Sequence, residues 1–242
     1  MTHDITLRSW LREAPFDLAL SAGFFGFFAH AGVLSVLEEE DLLPARLSGA
    51  SAGALVSGLF AAGLSSEALQ SELFSLRRED FWDPAVGPGL LRGRLFRERV
   101  RALLPTTRFE EVRVPVALSV FDLFSRKTHV LERGDLADAI CASCALPGLF
   151  RPVWIGGRPY IDGGVADRPG IRGTRGSRVL YHHLASRSPW RFTVPFPERD
   201  GLVSLVYEGL PRVGPFRLDV GLRAFEEARR RTRTRLDAPL HG

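Results

Sequence analysis

The stretch ARLSGASAGALVSGLFAAGL constrains the fold more than any other part of this chain. It places Ser51 between Ala50 and Ala52, with Gly49 and Gly53 at i−2 and i+2, directly before an apolar helical run. A packing helix gains nothing from glycine, which costs about 1 kcal/mol relative to alanine in a helix interior. Glycine is needed where a strand turns sharply into a helix, because side chains at those two positions would clash. The pattern predicts a strained strand-to-helix turn that exposes the Ser51 hydroxyl. The alternative is a serine that merely opens a helix.

A serine hydroxyl is a poor nucleophile unless a base accepts its proton. The stretch PYIDGGVAD offers Asp162, which ends an apolar strand and is followed by Gly163 and Gly164. The backbone then bends away and leaves the carboxylate at the strand end. The alternative for Asp162 is an Asx turn that closes a hairpin.

Histidine is the more usual base, and His182 and His183 follow Asp162 in a strand-like run. The chain order Ser51, Asp162, His182 would match that of the α/β hydrolases. Adjacent residues of a strand point to opposite faces, so at most one of these histidines could reach the serine. The alternative is that each is a histidine of the core or of the sheet surface.

A third stretch, SAGFFGFFAHAG, lies between the first strand and the first helix. Its backbone N–H groups, at Gly23, Phe24 and Gly26, could form a nest for an anion. Attack on an ester places negative charge on the carbonyl oxygen, and one such donor lowers the barrier by about 3 kcal/mol. We therefore predict the oxyanion hole here. The phenylalanines could line an acyl-chain pocket, or they could simply pack in the core.

Strand and helix signals alternate along the chain. They predict strands at 16–20, 46–49, 114–123, 127–133 and 177–184, a hairpin at 152–162, and helices at 27–39, 52–63, 66–78, 94–104, 136–145 and 216–236. This alternation predicts an α/β fold, a three-layer α/β/α sandwich with a mostly parallel central sheet. We expect one domain over residues 1–242, with a core at about 16–185 and a basic C-terminal helix. The Gly- and Arg-rich segment 163–178 predicts a mobile loop.

Residues 18–37 contain no Asp, Glu, Lys or Arg and are long enough to span a bilayer. Internal glycines and acidic flanks favour a buried strand, a turn and a buried helix instead. The N-terminus lacks a signal-peptide layout, so we expect a cytoplasmic protein. Cys141 and Cys144 provide no disulfide framework, and we interpret them as two thiols on one helix.

The formal net charge is +4, and many of the basic groups lie in EEARRRTRTRL near the C-terminus. This segment could lie on anionic lipid through a modest apolar stripe that includes Leu222 and Phe225. The alternative is a solvated helix end, packed on the domain by the same stripe. We expect no nucleic-acid partner.

Taken together, these residues resemble the patatin-like phospholipases from about Phe16 to Asp162. The stretch ICASCALPGLFRPVWIGGRPYIDGG resembles the family's approach to its catalytic aspartate and is the most specific match. The resemblance implies a serine–aspartate dyad without histidine, with Ser51 as nucleophile and Asp162 as general base. It implies hydrolysis of an acyl ester, expected to be a lipid, through an acyl-enzyme, with no metal and no organic cofactor.

The predicted oxyanion stretch departs from the family pattern at two positions. Where the family usually has G-x-G-x-x-G, this chain has Ser21 in place of the first glycine and Phe25 where arginine is common. Backbone donors do not depend on side chains, so the hole could still form. Two other functions stay open: an acyltransferase that uses the same dyad, and a lipid-binding protein whose oxyanion loop is degenerate.

Overall fold

The computed structural model describes residues 5–185 and 196–240 of the chain. The helices are α1 (Leu7–Glu13), α2 (Phe27–Glu39), α3 (Ala52–Ala61), α4 (Ser66–Ser75), α5 (Arg94–Leu103), α6 (Leu136–Ser143) and α7 (Gly221–Leu236). The strands are β1 (Asp17–Leu20), β2 (Arg46–Ala50), β3 (Gly89–Leu91), β4 (Val116–Asp122), β5 (Lys127–Leu131), β6 (Gly148–Phe150), β7 (Val153–Ile155), β8 (Arg158–Asp162), β9 (Val179–Leu184) and β10 (Leu202–Tyr207).

The central sheet has the strand order β10-β9-β1-β2-β4-β8-β7, and β5 also pairs with β4. The pairs from β10 through β4 are parallel, whereas β5, β8 and β7 join by antiparallel pairs. The predicted α/β fold with a mostly parallel central sheet is confirmed. The predicted β7–β8 hairpin also forms, through Gly156 and Gly157, both of which have positive φ.

The register of β4 positions the ends of two other strands. On one edge β4 pairs with β5 from residue 118 to residue 122, so β2 and β8 must share the opposite edge. There Ala50, the last residue of β2, is opposite Ser119, and Asp162, the last residue of β8, is opposite Val120. Because β2 and β8 approach from opposite directions along this edge, their last residues meet end to end.

The two faces of the sheet are covered differently. One face packs Leu18, Leu47 and Leu118 into a large core to which all seven helices contribute. The other face carries a small apolar cluster around Ala19 and Tyr181 that contains no helical residue among those described. Much of this second layer is formed by the irregular segment 163–178.

Segment 163–178 is anchored, contrary to the prediction that it is mobile. The Ser48 hydroxyl donates to the Gly170 carbonyl and accepts from the Gly173 N–H. Further along, the backbone N–H groups of residues 175 and 176 donate to the Asp17 carboxylate at 2.7 and 2.8 Å. These partners lie on β1 and β2, far away in sequence, so composition alone could not indicate them.

The basic C-terminal helix packs on the domain. Phe225 of α7 is fully buried, and α7 approaches α2 so closely that a Cβ at Gly32 would lie 2.5 Å from the Phe225 carbonyl oxygen. Arg229 and Arg233 both pair with Glu39 of α2. Phe225 of the apolar stripe is thus covered, as the packing interpretation predicts, whereas Leu222 is 49% exposed. Contact of this segment with a membrane stays a prediction.

The apolar run 18–37 forms β1, a turn and most of α2, as predicted. Among the described residues, none of the helices combines the length and the apolar character that a membrane span requires. The assignment of residues 1–242 to a single domain stays a prediction, because residues 1–4, 186–195 and 241–242 lie outside the described part of the chain.

Candidate active site

Ser51 lies at the turn between β2 and α3, with φ 53° and ψ −118°. Positive φ is unfavourable for a residue with a side chain, so this backbone is strained. A Cβ at Gly49 would lie 2.5 Å from the Gly53 carbonyl group, and a Cβ at Gly53 would lie 2.0 Å from the Leu20 carbonyl oxygen. The predicted reason for both glycines, crowding at a sharp turn, is therefore confirmed. The flanking residues Ala50 and Ala52 are buried.

The Ser51 hydroxyl donates a hydrogen bond of 2.7 Å to Oδ2 of Asp162. These residues are 111 positions apart in the chain. They meet because β2 and β8 end at neighbouring positions on the same edge of β4. The serine and the carboxylate that the sequence predicted to face each other are thus in direct contact.

Asp162 is only 3% exposed, and its second oxygen, Oδ1, accepts the Gly164 N–H at 2.7 Å. A Cβ at Gly163 would lie 1.9 Å from the Ser119 carbonyl oxygen, so only glycine fits there. The Asx-turn interpretation is therefore also observed, and it uses the oxygen that Ser51 leaves free. Burial raises the pKa of Asp162 to about 6, against the opposing effect of the two hydrogen bonds.

Two neighbours of Ser51 were not predicted as site residues. The Ser51 N–H donates to the Ser143 hydroxyl at 2.9 Å, and that hydroxyl donates to the Ser119 carbonyl at 2.7 Å. The Cys144 thiol donates to the Ser51 carbonyl at 3.2 Å. Burial, with the nearby Asp162 carboxylate, raises the pKa of Cys144 well above its usual range, which keeps the donor proton in place. Ser143 and Cys144 lie in the CASC stretch, which was interpreted only as part of a helix.

The predicted oxyanion turn packs beside the loop that follows Asp162, since a Cβ at Gly164 would lie 2.5 Å from the Ala22 Cβ. The Gly26 N–H donates to the Gly23 carbonyl at 3.0 Å, so it closes the turn instead of facing a substrate. The N–H groups of Gly23 and Phe24 donate to no other group in the described part of the chain. Two of the three predicted donors are therefore free to bind an anion.

Ser21, which stands in place of the first glycine of the family pattern, is accommodated by hydrogen bonds to β9. Its hydroxyl accepts the Leu184 N–H at 2.9 Å, and its N–H donates to the His182 carbonyl at 3.2 Å. A Cβ at Gly23 or at Gly26 would lie 2.5 or 2.1 Å from the Leu184 side chain. The turn is thus held against β9, and Ser21 contributes to that attachment.

The histidines that formed the alternative to a dyad lie elsewhere. His182 is fully buried and meets His30 with an Nδ1–Nδ1 distance of 2.8 Å, while Nε2 of His30 lies 2.7 Å from the Ser21 carbonyl oxygen. His183 points to the opposite face and contacts the Tyr181 hydroxyl at 2.7 Å. Neither His182 nor His183 hydrogen-bonds to the serine or the aspartate.

The His30–His182 contact fixes the tautomers of both rings. A carbonyl can only accept, so His30 is protonated on Nε2 and, when neutral, accepts on Nδ1. His182 must then donate from Nδ1, which leaves its Nε2 as a buried acceptor without a partner among the described residues. Burial lowers the pKa of His30 to about 4, which is consistent with neutral rings.

The sequence of this chain matches one protein family and several curated proteins. A family model described as Patatin-like phospholipase matches residues 18–174. Uncharacterized NTE family proteins of Mycobacterium bovis and Mycobacterium tuberculosis are 33% identical over 153 residues, which is 62% of this chain and 42% of theirs. The chain thus spans less than half the length of these curated relatives.

Solved structures are similar in fold. VipD from Legionella pneumophila matches with a TM-score of 0.67 and 13% identity, over 92% of this chain and 66% of that one. The ExoU–SpcU complex from Pseudomonas aeruginosa matches with a TM-score of 0.50 and 16% identity, over 93% of this chain and 52% of that one. At such low identity these likenesses show the fold alone.

Proposed function

Because this chain belongs to the patatin-like phospholipase family, we propose that it hydrolyses acyl esters of lipids through a covalent intermediate on Ser51. Family membership supports lipid acyl hydrolysis as the class of chemistry. The observation that supports the specific mechanism is the 2.7 Å hydrogen bond from the Ser51 hydroxyl to the Asp162 carboxylate. In the proposed mechanism these two residues form the catalytic dyad, with no histidine.

In the first half of the reaction, Asp162 accepts the hydroxyl proton as Ser51 Oγ attacks the ester carbonyl. A tetrahedral intermediate forms with a negative charge on the former carbonyl oxygen. When it collapses, the bond to the alcohol breaks, and the proton on Asp162 passes to the leaving oxygen. The acyl group remains on Ser51 as an ester.

In the second half, Asp162 accepts a proton from water, whose oxygen attacks the acyl-serine carbonyl. Collapse of the second intermediate releases the carboxylic acid and returns the proton to Ser51 Oγ. Each proton that Asp162 accepts is given up within the same half-reaction. All of the proposed steps use only these two side chains, backbone donors and water.

The electrostatics around the dyad support this role for Asp162. A general base works best when its pKa lies near the working pH, and burial raises that of Asp162 to about 6. The Gly164 N–H fixes one carboxylate oxygen and leaves the other directed at Ser51. Ser51 also precedes the first turn of α3, where the helix dipole favours developing negative charge.

We propose the Gly23 and Phe24 N–H groups as the oxyanion donors, with Gly26 forming the turn that presents them. One such donor contributes about 3 kcal/mol to the stability of the transition state. Phe25 adopts a left-handed backbone in this turn, with φ 54°. The left-handed conformation belongs to the same tight turn that orients the two preceding amides.

The decisive experiment compares the wild-type protein with Ser51→Ala and Asp162→Asn on a soluble p-nitrophenyl ester. We expect Ser51→Ala to abolish turnover and fluorophosphonate labelling, and Asp162→Asn to lower kcat by about 1,000-fold. Asp17→Asn is a matched control, since Asp17 is a buried carboxylate at the opposite end of the sheet. Near-normal turnover by Asp162→Asn, with the fold verified by circular dichroism, would refute the dyad.

Product analysis and probe labelling distinguish hydrolysis from the two alternatives, acyl transfer and lipid binding without catalysis. Product analysis with and without added alcohol separates hydrolysis from acyl transfer, because only transfer yields a new ester. If the wild-type protein resists the fluorophosphonate probe but still binds lipid, the lipid-binding alternative holds instead.

A further inference from the structure

A series of aromatic residues leads from the proposed oxyanion turn to the protein surface at Phe216. Its middle members are half-buried, in the case of Phe25 and Trp82, or buried, in the case of Phe81. The rings of Phe24 and Phe25 are 4.9 Å apart, and Phe25 lies 5.8 Å from Phe81. The next residue, Trp82, lies 5.5 Å from Phe216. Phe24 is 50% exposed and Phe216 is 69% exposed. We call these five residues the aromatic ridge.

The ridge carries a positive charge among its rings. The Arg78 guanidinium lies 5.9 Å from the centre of the Trp82 ring and 5.3 Å from that of Phe216. Arg78 and Arg217, which adjoins Phe216 in the chain, form no ion pair with any carboxylate that the structure describes. These two cations are therefore available to an anionic partner.

The chain segments around the aromatic ridge also carry a net positive charge. Residues 76–82 and 211–223 supply three members of the ridge, and together they contain five arginines and three acidic residues. In α7, by comparison, four of the six arginines pair with Glu39 or Glu227, so that helix is basic as well. The ridge differs from α7 in its exposed aromatic rings, because Phe225, the aromatic residue of α7, is fully buried.

Aromatic rings with guanidinium groups among them match the interface of a bilayer. Phenylalanine and tryptophan rings partition into the headgroup region and the upper acyl chains. Guanidinium binds phosphate oxygens in a bidentate manner, and each basic residue at an anionic surface contributes about 1 kcal/mol. A protein partner would offer no comparable reason for the ridge to begin at Phe24, beside the proposed site.

We propose that the aromatic ridge docks this protein on a bilayer that contains anionic phospholipid. Docking would place the turn with the Gly23 and Phe24 amides at the membrane surface, where acyl esters are found. The use of this surface rests on the proposed function, but the binding step itself needs neither Ser51 nor Asp162. Binding and catalysis can therefore be tested separately.

The binding test uses the full chain carrying Ser51→Ala, so that vesicles are not hydrolysed. Co-sedimentation is measured with phosphatidylcholine vesicles, with and without phosphatidylglycerol. We expect tighter binding to the anionic vesicles, and we expect Phe216→Ser with Arg78→Gln to weaken that binding about tenfold or more. Both side chains are exposed, and melting curves verify that the fold is kept.

The matched control is a second exposed aromatic pair. Phe124 and Trp154 are 63% and 62% exposed, with ring centres 5.9 Å apart, but they lie at the β7 end of the sheet. Phe124→Ser with Trp154→Ser should leave vesicle binding unchanged. Equal loss in both double variants would mean nonspecific adsorption and would overturn the proposal, as would wild-type binding by the ridge variant or no preference for anionic vesicles.

Activity on an otherwise wild-type chain separates this proposal from the catalytic one. The ridge variant should lose turnover of vesicle-borne phospholipid about tenfold more than it loses turnover of a soluble ester. If vesicle binding depends on the ridge but no ester is hydrolysed, the docking surface stands and the proposed hydrolase does not. If soluble esters are hydrolysed but the ridge variant matches the wild-type protein on vesicles, the docking proposal fails and the hydrolase stands.

Discussion

Gly53 lies directly against the carbonyl oxygen of Leu20, so that a Cβ at position 53 would be 2.0 Å from it. This contact joins the first turn of α3 to the end of β1, and neither backbone can move without disturbing the sheet. We expect Gly53→Ala to lower the free energy of unfolding by about 3 kcal/mol, measured by urea denaturation. Gly214→Ala is the control, because a Cβ there meets nothing within 4 Å. A Gly53→Ala protein as stable as the control would contradict the crowding argument.

The raised pKa of Asp162 predicts the pH dependence of turnover. Only the carboxylate can accept the Ser51 proton, and burial places the pKa of Asp162 at about 6. We therefore expect kcat/KM for a soluble ester to fall about tenfold per pH unit below pH 6 and to level off above it. A profile that shows no inflection near pH 6 would argue against Asp162 as the base.

The raised pKa of Asp162 also makes the free energy of unfolding depend on pH. Because the folded pKa of about 6 exceeds the ordinary 3.8, the folded protein binds this proton more tightly than the unfolded chain. This contribution to the free energy of unfolding is therefore complete below pH 3.8 and is lost as the pH rises to about 6. Asp162→Asn removes the titration, so its stability relative to the wild-type protein should increase over that interval. Urea denaturation at several pH values measures the difference, and a constant difference would contradict it.

Ser143 is expected to act as a positioning residue for Ser51. Its hydroxyl accepts the Ser51 N–H and donates to the Ser119 carbonyl, which ties the strained turn to β4. Ser143→Ala should slow fluorophosphonate labelling and lower kcat by about tenfold, with KM little changed. Ser143→Thr keeps the hydroxyl and should restore much of the labelling rate. Ser57→Ala removes another buried hydroxyl as a control. A loss that only follows the melting temperature would mean a purely structural role.

The buried histidine pair should make the protein sensitive to acid. Burial lowers the pKa of His30 to about 4 from the ordinary 6.5, so the folded protein resists a proton that the unfolded chain accepts. This contribution to stability is therefore present above pH 6.5 and is lost progressively as the pH falls to about 4. His30→Gln retains a donor for the Ser21 carbonyl but does not titrate. Its free energy of unfolding should decline less than that of the wild-type protein over this range, and an identical decline would contradict the assignment.

Much of the local structure could be predicted from the sequence. Helix α2 spans Phe27–Glu39 as predicted, β1, β4, β5, β8 and β9 lie within the predicted strands, and β2 extends one residue beyond its predicted end. Their signals are local: β1 and β4 are mainly apolar, and β5 and β9 are rich in residues that favour strands. The two glycines around Ser51 also required a tight turn for a local steric reason.

Other elements were missed because their signals are weak or distant. Helix α1 has only seven residues, too few for a helical periodicity to be clear. Strands β3 and β6 have three residues each and pair with one another across more than fifty intervening residues. β10 lies at the edge of the sheet beside β9, beyond the region of the family resemblance. Only the complete fold assigns a place to these short segments, because β3 and β6 form a separate two-stranded sheet and α1 packs in the large core.

The sequence by itself determined the strained turn at Ser51 and the strand end at Asp162, because steric crowding and apolar patterning act between near neighbours. The tertiary structure alone decided that these residues meet, since the register of β2 and β8 on one edge of β4 is a long-range property. It also turned His182 toward His30, anchored segment 163–178 on β1 and β2, and buried Phe225 of α7 while leaving Phe24 and Phe216 exposed. Each of these outcomes depends on which distant surfaces come into contact, which no local pattern encodes.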